Sequence, residues 1–349
     1  MTKTRLTIRD IAKLAGVAPS TVSEVINGNR KKRVRSQTEA MIREVIEKHN
    51  YVSLPAARAL STQKTRHIGF LVSSTATLGI ANAFFAETLA GVEEICTARN
   101  YRCVIGKYDF SPAVHNFVLS PELRQRSVDA LIVTGWISEK CQQDLASLNI
   151  PVLLLTSTEV REPLFALHWE SAATHASALE YLYSLGHRNI LLPYYSEIEQ
   201  QELERGIKCC RTTENFQTFL VHYTQNSFIA GKFFAQKVFA SGEMEHVTAL
   251  YADDQICCGF LQAMYQLGKN CPQDFSIFAH NDTAPCEWNT IPISANKRIS
   301  FESGKLAANS IIDLLENIKT ESETRKILST SIGTSEVIKR LSCGNAPKK

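Results

Sequence analysis

The sequence predicts a small all-helical N-terminal domain followed by a larger α/β core with parallel sheets. Three observations lead to this fold class. Residues 7–49 contain three short stretches with helical apolar periodicity. From about residue 67 onward, strand-like and helix-like segments alternate to the end of the chain. The charge also changes sign between these two parts, and 349 residues suffice for two or three domains.

Basic residues are concentrated at the N-terminus. Residues 1–66 contain 14 Arg and Lys against 5 Asp and Glu, a net charge of +9, whereas the remaining 283 residues have a net charge of −6. A small basic domain on a mildly acidic body is typical of a protein whose smaller part meets a polyanion. The apolar periodicity of this part argues against the alternative, a solvated basic tail.

Composition and cysteine pattern exclude several classes of protein. No run of about 18 apolar residues occurs, so we expect no membrane span, and the N-terminus turns polar too early for a signal peptide. The ten cysteines are dispersed and lack a CxxC motif, which favours reduced thiols over a disulfide framework, metal site or redox site. We therefore expect a cytoplasmic protein without metal or cofactor.

Three helices are expected in the N-terminal domain. Thr7 is predicted to cap the first, with Asp10 in its first turn. Pro19 suits the first position of the second helix, and Ser36 with Glu39 predicts a capping box for the third. The apolar positions expected to close a three-helix core are Ile8, Ile11, Ala12, Ala15, Val22, Val25, Ile26, Ala40, Met41, Val45 and Ile46.

The first two helices are joined by a glycine-containing turn, which is typical of the helix-turn-helix motif. In that motif the N-terminal residues of the second helix face base edges in the major groove. Those positions are occupied here by Pro19, Ser20, Thr21, Ser23 and Glu24. A plain helical bundle is the alternative interpretation of the same periodicity.

The segment TIRDIAKLAGVAPSTVSEVING resembles the headpiece of the lactose/galactose repressor (LacI/GalR) family, whose pattern is T-x-x-D-V-A-x-x-A-G-V-S-x-x-T-V-S-R-x-L-N. The segment HNYVSLPAARAL is similar to the family's hinge. The resemblance implies a DNA-binding headpiece and hinge over residues 1–62, with a leucine of the hinge, by position Leu60, wedged into the minor groove. A core-facing leucine in a fixed helix is the alternative. The positions that it implies at the DNA are Thr7, Pro19, Ser20, Thr21, Ser23, Glu24, Asn27, Arg30, Arg35, Tyr51, Ala57 and Leu60.

Two departures from the family pattern concern DNA recognition. Glu24 stands where the family usually has an arginine that contacts the major groove. The turn after Asn27 is about two residues longer than usual and carries four basic residues in a row, at positions 30–33. We expect these basic side chains to contact phosphates rather than bases.

The body, residues 63–349, resembles the effector-binding core of the same family, two lobes like those of periplasmic sugar-binding proteins. Lobe one is expected at about 67–160 and 295–323, and lobe two at about 161–294 and 324–349. Ligands of such folds bind between the lobes, at the carboxyl ends of the strands. The candidate effector-binding positions are Ser74, Phe85, Tyr108, Asp109, Trp136, Asp253 and Asn281. For each of them, ordinary loop polarity or aromatic packing is the alternative.

Several expected ligand-binding positions depart from the family, and one of these departures removes a hydrogen-bond donor. Leu203 occupies the place of an arginine, three residues before Gly206. Because leucine offers no hydrogen-bond donor, we expect simple hexoses to bind poorly.

These features predict a sequence-specific DNA-binding transcriptional regulator, a repressor of a carbohydrate-related operon. It is expected to bind a near-palindromic double-stranded operator as a homodimer and to respond to a small-molecule effector, a sugar or a derivative. No leucine heptad follows the last strand, which favours a dimer over a tetramer.

Two other functions are weighed against this one. An enzyme is disfavoured because no motif joins a nucleophile, a base and a third group, so no catalytic residue is assigned. A binding module whose headpiece has lost DNA affinity is the other alternative, and Glu24 is the residue that favours it.

Overall fold

The computed structural model describes residues 6–27, 34–52, 64–74, 78–110, 127–135, 137–156, 159–168, 171–211, 216–223, 227–242, 244–297, 299–330 and 336–347. The chain divides into two compact units, Met1–Arg66 with Gln125–Asp129, and His67–Arg124 with Ala130–Lys349. Within the described ranges, no helix is both long and apolar enough to cross a membrane.

The described residues of the first unit form the helices α1 (Ile8–Leu14), α2 (Pro19–Asn27) and α3 (Ser36–Lys48). The predicted cap of α1 is confirmed, because Thr7 Oγ1 accepts from the backbone N–H of Asp10 and the Asp10 carboxylate accepts from Thr7 N at 2.8 Å. The buried core of the three helices consists of Ile11, Ala12, Ala15, Val22, Val25 and Ile42.

The third helix differs from its prediction in two respects. Its cap position is Arg35, which makes no side-chain cap hydrogen bond, so the expected capping box of Ser36 and Glu39 is wrong. Ser36 is already helical, and its hydroxyl therefore cannot act from the cap position. Ile42 is the buried core residue of α3 and was not among the predicted positions. The predicted Val45 and Ile46 are half-buried and pack against the core, whereas Met41 is 40% exposed.

The second unit contains two parallel sheets with helices between their strands. The strands are β1 (His67–Ser73), β2 (Arg102–Tyr108), β3 (Ala130–Thr134), β4 (Val152–Thr156), β5 (Phe165–His168), β6 (Asn189–Tyr194), β7 (Gln217–His222), β8 (Ala249–Ala252), β9 (Ser276–Ala279), β10 (Ser294–Asn296) and β11 (Val337–Ile338). The helices are α4 (Ala83–Ala98), α5 (Glu139–Ala146), α6 (Ser171–Ser184), α7 (Glu197–Cys209), α8 (Phe228–Phe239), α9 (Asp254–Gln266), α10 (Ala284–Trp288), α11 (Ser300–Leu315) and α12 (Glu321–Thr330).

Each sheet forms the centre of one lobe. The first has the strand order β2-β1-β3-β4-β5, and the second has the order β11-β10-β9-β8-β6-β7. All described pairs are parallel except β10 with β11. This arrangement confirms the predicted α/β core, and it brings the carboxyl ends of each lobe's parallel strands to one edge.

The chain passes between the lobes at different residues from those expected. The strand β5 pairs with β4, so lobe one continues to His168 rather than to about 160. The strand β10 pairs with β9, which keeps lobe two up to Asn296. The helix α12 packs against β5 and therefore extends the second segment of lobe one to Thr330 rather than to 323.

Each lobe contains one pair of helices whose backbones touch. In lobe one, a side-chain carbon added to Gly91 of α4 or to Gly304 of α11 would overlap a backbone carbonyl oxygen of the facing helix. In lobe two, the same holds for Gly231 of α8 and Gly259 of α9. Only glycine permits this close approach of two helices.

Candidate DNA-binding face and effector site

The second helix of the first unit presents a polar face opposite its buried one. Val22 and Val25 are buried in the three-helix core. Ser20 is exposed, and the side chains of Ser23 and Glu24 are half-buried. Because positions four residues apart lie on one side of a helix, Ser20 and Glu24 share a face. The outer side of α2 therefore carries hydroxyl groups and one carboxylate.

Of the other predicted DNA-contacting positions, Pro19 is exposed and Thr21 half-buried on α2. The side chain of Thr7 is engaged in the cap of α1, while Arg35 is exposed directly before α3. Tyr51 packs against the three-helix core, and its backbone N–H donates to Ile46 O at 3.0 Å. Outside the described residues lie the side chain of Asn27 and the whole of Arg30, Ala57 and Leu60.

Three predicted effector positions meet at the carboxyl ends of β1 and β2. The backbone N–H of Ser74 donates to the carbonyl of Tyr108 at 2.6 Å. Tyr108 is half-buried, and Asp109 next to it is exposed. Lobe one therefore places a hydroxyl, a phenol and a carboxylate at this edge of its sheet.

The aromatic positions predicted in lobe one are arranged differently. Phe85 is only 9% exposed and belongs to the core of the lobe, where its ring lies edge to face with Phe84 at 5.3 Å. Most of its ring is covered by the core, which leaves little surface for stacking on a sugar. Trp136 lies outside the described part of the chain.

Two predicted positions of lobe two are brought together by a buried carboxylate. Asp254 is 2% exposed and accepts backbone N–H groups of Asn281 at 2.9 Å and Thr283 at 2.7 Å. Burial raises the pKa of Asp254, and these hydrogen bonds oppose that rise. Asp253 caps α9 by accepting from Gln255 N at 2.9 Å. Asp254 thus fixes the loop that carries Asn281 beside Asp253.

A cluster of carboxylates and tyrosines, not predicted from the sequence, lies at the same edge of the second sheet. Tyr195 follows β6 and Tyr223 follows β7, with ring centroids 6.1 Å apart. The carboxylate of Glu199, in the first turn of α7, accepts from Tyr195 N at 2.7 Å. Burial raises the pKa of Glu199 to about 8, and the carboxylates of Asp253 and Glu202 contribute to the rise. We call Tyr195, Glu199, Glu202, Tyr223 and Asp253 the acidic cluster.

Leu203 lies one helical turn after Glu199. Its side chain is fully buried in the lobe-two core together with Leu179 and Leu182. Position 203 therefore contributes packing and offers no hydrogen-bond donor.

A hydrogen-bonded group of rings lies in the same lobe. Nδ1 of His175 and Oη of Tyr251 are 2.7 Å apart, and Asn296 Nδ2 donates to the same oxygen at 3.0 Å. The ring of His280 lies 4.3 Å from that of Tyr251. Burial lowers the pKa of His175 to about 4 and holds the pKa of His280 well below its usual range. Both histidines are therefore neutral at pH 7.

Metal binding has no candidate in the described ranges. No group of three or more His, Cys, Asp or Glu side chains among those residues is arranged to hold a metal ion.

Two family models match the chain. Residues 7–53 match the model of bacterial regulatory proteins, lacI family, and residues 179–343 match that of the periplasmic binding protein-like domain. The chain therefore has the two-part domain architecture of the lacI family. The first match covers α1, α2 and α3, and the second covers most of lobe two together with α11 and α12 of lobe one.

Curated relatives in this family extend along most of the chain. Catabolite control protein A of Streptococcus mutans is 27% identical over 330 residues, which cover 93% of this chain and 95% of the relative. The ribose operon repressor of Haemophilus influenzae is 29% identical over 332 residues, covering 92% and 95%.

Solved structures of lacI-family proteins share the fold. The Lac repressor dimer bound to operator and the anti-inducer ONPF has a TM-score of 0.76 and 19% identity, covering 98% of this chain and 100% of that one. A lacI-family transcriptional regulator from Enterococcus faecium, with bound ribose, has a TM-score of 0.65 and 21% identity, covering 80% and 99%.

Proposed function

We propose that this lacI-family protein is a sequence-specific transcriptional repressor that binds a near-palindromic operator as a homodimer. A small molecule bound between the lobes of the second unit modulates its affinity for DNA. One observation carries the proposal: α2 stands on a complete three-helix core and turns a polar face outward, within the residues that match the family. This is the surface that a helix-turn-helix inserts into the major groove.

Bases are contacted by the polar face of α2. The hydroxyls of Ser20 and Ser23 can donate to or accept from base edges, whereas the carboxylate of Glu24 can only accept. In the major groove, the exocyclic amine of cytosine is the donor that suits a carboxylate. Where an arginine in this position would select guanine, Glu24 selects cytosine, so the half-site differs from that of relatives at one base pair.

Phosphate contacts supply most of the affinity. The net charge of +9 on residues 1–66 offsets the repulsion between Glu24 and the DNA backbone. Arg35, Tyr51 and the basic residues at 30–33 are assigned to the backbone, and Leu60 with Ala57 to the minor groove. The assignments of Arg35, Tyr51, Ala57 and Leu60 follow the family resemblance, whereas the assignment of residues 30–33 follows from their positive charge.

A carbohydrate-related operon is the proposed target, and the cytoplasm is the place of action. The first support is the name of one relative, a ribose operon repressor, and the second is the bound ribose of the structural neighbour. Catalysis is not part of the proposal, since the relatives are named as regulators.

Selection of bound DNA from a random pool tests the proposal. We expect the wild-type protein to enrich a near-palindromic motif. Glu24→Ala should relax one symmetric pair of positions by about 1–3 kcal/mol, and Glu24→Arg should change the preferred base there and raise non-specific affinity. Glu44→Ala, which removes an exposed carboxylate of α3, is the matched control and should leave the motif unchanged.

Two results would contradict these assignments. Identical motifs for the wild type and both Glu24 variants would show that Glu24 contacts no base. Failure of the wild-type protein to enrich any motif at low salt would overturn the proposed DNA-binding function.

A further inference from the structure

One carboxylate connects the chain segments that enter two neighbouring strands of lobe one. Asp129 directly precedes β3, and Thr65 and Arg66 are the last residues before β1. The two strands pair in parallel, with Ile68 opposite Ala130. The carboxylate of Asp129 therefore lies at the place where the chain that leaves the three N-terminal helices enters its first strand.

Asp129 accepts three hydrogen bonds from the entering chain. Its Oδ1 accepts from the backbone N–H of Thr65 at 2.7 Å and from the hydroxyl of the same residue at 2.8 Å. Its Oδ2 accepts from the backbone N–H of Arg66 at 2.9 Å. Hydrogen bonds to a carboxylate are stronger than those between neutral groups. We call these three hydrogen bonds the Asp129 tie.

The backbone at Arg66 has a conformation that the tie helps to hold. Its φ is 61°, in the left-handed region that residues other than glycine seldom adopt. Consecutive backbone N–H groups that converge on one anion form a nest, and a left-handed residue is part of that arrangement. Loss of the anion removes the partner of both N–H groups. We therefore expect Thr65 and Arg66 to be released together when the carboxylate is lost.

We propose that Asp129 is a positioning residue that sets the length of chain between the DNA-binding headpiece and the core, and with it the spacing of the two operator half-sites. This inference rests on the proposed function, because it concerns how the dimer places its two headpieces on DNA. The tie fixes Thr65 and Arg66 to the start of β3, so these residues add nothing to the span between headpiece and core. A short span admits fewer spacings of the half-sites than a longer one.

Release of the tie lengthens this span by a predictable amount. Two extended residues reach up to about 7 Å, and one base pair corresponds to about 3.4 Å along the DNA, so each subunit gains up to about two base pairs and the dimer up to about four. The bases contacted within a half-site should not change, because Asp129 is not part of the three-helix core that supports α2.

Selection of bound DNA from a random pool by the full-length protein measures half-site sequence and spacing together. We expect the wild type to enrich two half-sites at one spacing. Asp129→Asn keeps one acceptor oxygen but turns an NH2 donor toward a backbone N–H, and we expect it to enrich the same half-sites at several spacings. Asp274→Asn is the matched control, because the Asp274 carboxylate also accepts a backbone N–H, from Asn270 at 2.7 Å, but in lobe two. It should keep the wild-type spacing.

Trypsin tests the tie itself in the absence of DNA. Lys64 and Arg66 are exposed, and cleavage after them requires the local backbone to open. We expect Asp129→Asn to be cleaved after these two residues severalfold faster than the wild type and Asp274→Asn, with the fragments identified by mass spectrometry. Thr65→Val removes the hydroxyl donor and should change cleavage and spacing in the same direction by a smaller amount. It serves as the test if Asp129→Asn does not fold.

The inference is overturned if the wild type and Asp129→Asn enrich half-sites at the same single spacing, or if the wild type itself accepts several spacings. Several spacings for Asp274→Asn would also overturn it, since the effect would then not depend on the tie. If the wild type enriches half-sites at one spacing that Asp129→Asn retains, only this inference is wrong. If the wild type enriches no DNA at low salt, the proposed repressor function is wrong and the role in spacing falls with it, while trypsin cleavage still decides whether the tie holds the chain.

Discussion

The side chain of His187 contacts three separate segments of lobe two. The pH dependence of the free energy of unfolding tests whether this side chain is held neutral there. The side chain is fully buried, with Nδ1 2.8 Å from Thr248 Oγ1 and Nε2 3.0 Å from Ser276 Oγ. The carbonyl of Gly344 lies 3.1 Å from Nε2. Burial lowers the pKa of His187 to about 4, against an ordinary value of 6.5 in the unfolded chain. Neutral imidazole is therefore the form that the fold requires.

The direction of the pH effect follows from these two values. Between pH 6.5 and 4 the unfolded chain binds a proton at His187 and the folded chain does not, so the free energy of unfolding falls as the pH falls. Above pH 6.5, His187 makes its full contribution to the free energy of unfolding. Since one pKa unit corresponds to about 1.4 kcal/mol, lowering the pH from 7.5 to 5 removes about 2 kcal/mol of stability through this residue.

Urea unfolding at pH 7.5 and pH 5, followed by circular dichroism, measures the effect. His187→Gln is the comparison variant, because its amide can bond to the same hydroxyls but does not titrate. We expect the wild type to lose about 2 kcal/mol more than the variant on going to pH 5. Other titrating groups, including His175, are present in both proteins and cancel in the difference. Equal losses in the two proteins would refute the argument that His187 is held neutral.

Two further predictions concern packing and DNA affinity. Gly304→Ala should lower the free energy of unfolding by about 3 kcal/mol, because its new methyl group overlaps the backbone of α4. Urea unfolding measures this decrease. A variant as stable as the wild type would contradict the close approach of the two helices. Replacing the basic residues at 30–33 by Ser should make operator affinity less dependent on salt. The slope of log affinity against log salt concentration should become less negative by about 0.9 for each phosphate that the variant no longer neutralises. The selected motif should stay the same, and a changed motif would show that this segment contacts bases.

Long apolar strands and periodic helices of the core were predictable from the sequence. The continuous apolar segment HIGFLVS forms β1, and the stretch of residues 83–98, where a helix-like segment follows it, forms α4. The short strand β5 has only four residues, and its pairing with β4 depends on contacts that local periodicity does not contain. Helix α12 was assigned to the wrong lobe beyond residue 323 for the same reason.

The candidate site was predictable only in part. The rule that ligands bind at carboxyl ends of parallel strands found Asp253 and Asn281, which the structure brings together through Asp254. The same rule would have found Tyr195 and Tyr223, had the residues that follow β6 and β7 been included. No sequence pattern predicts Glu199 as a residue of this site, because its interaction with Asp253 depends on how α7 packs against the sheet.

The helix pairs that touch through glycine in both lobes have a mechanical consequence. A pair of helices in backbone contact cannot slide or rotate without collision, so each lobe resists internal deformation. In the order of the described elements, the chain changes lobe at three crossings, after His168, after Asn296 and after Thr330. When a molecule binds, the change in conformation is therefore expected at these three crossings and not inside a lobe. Substitutions at the crossings should change the response to the effector without changing the shape of either lobe.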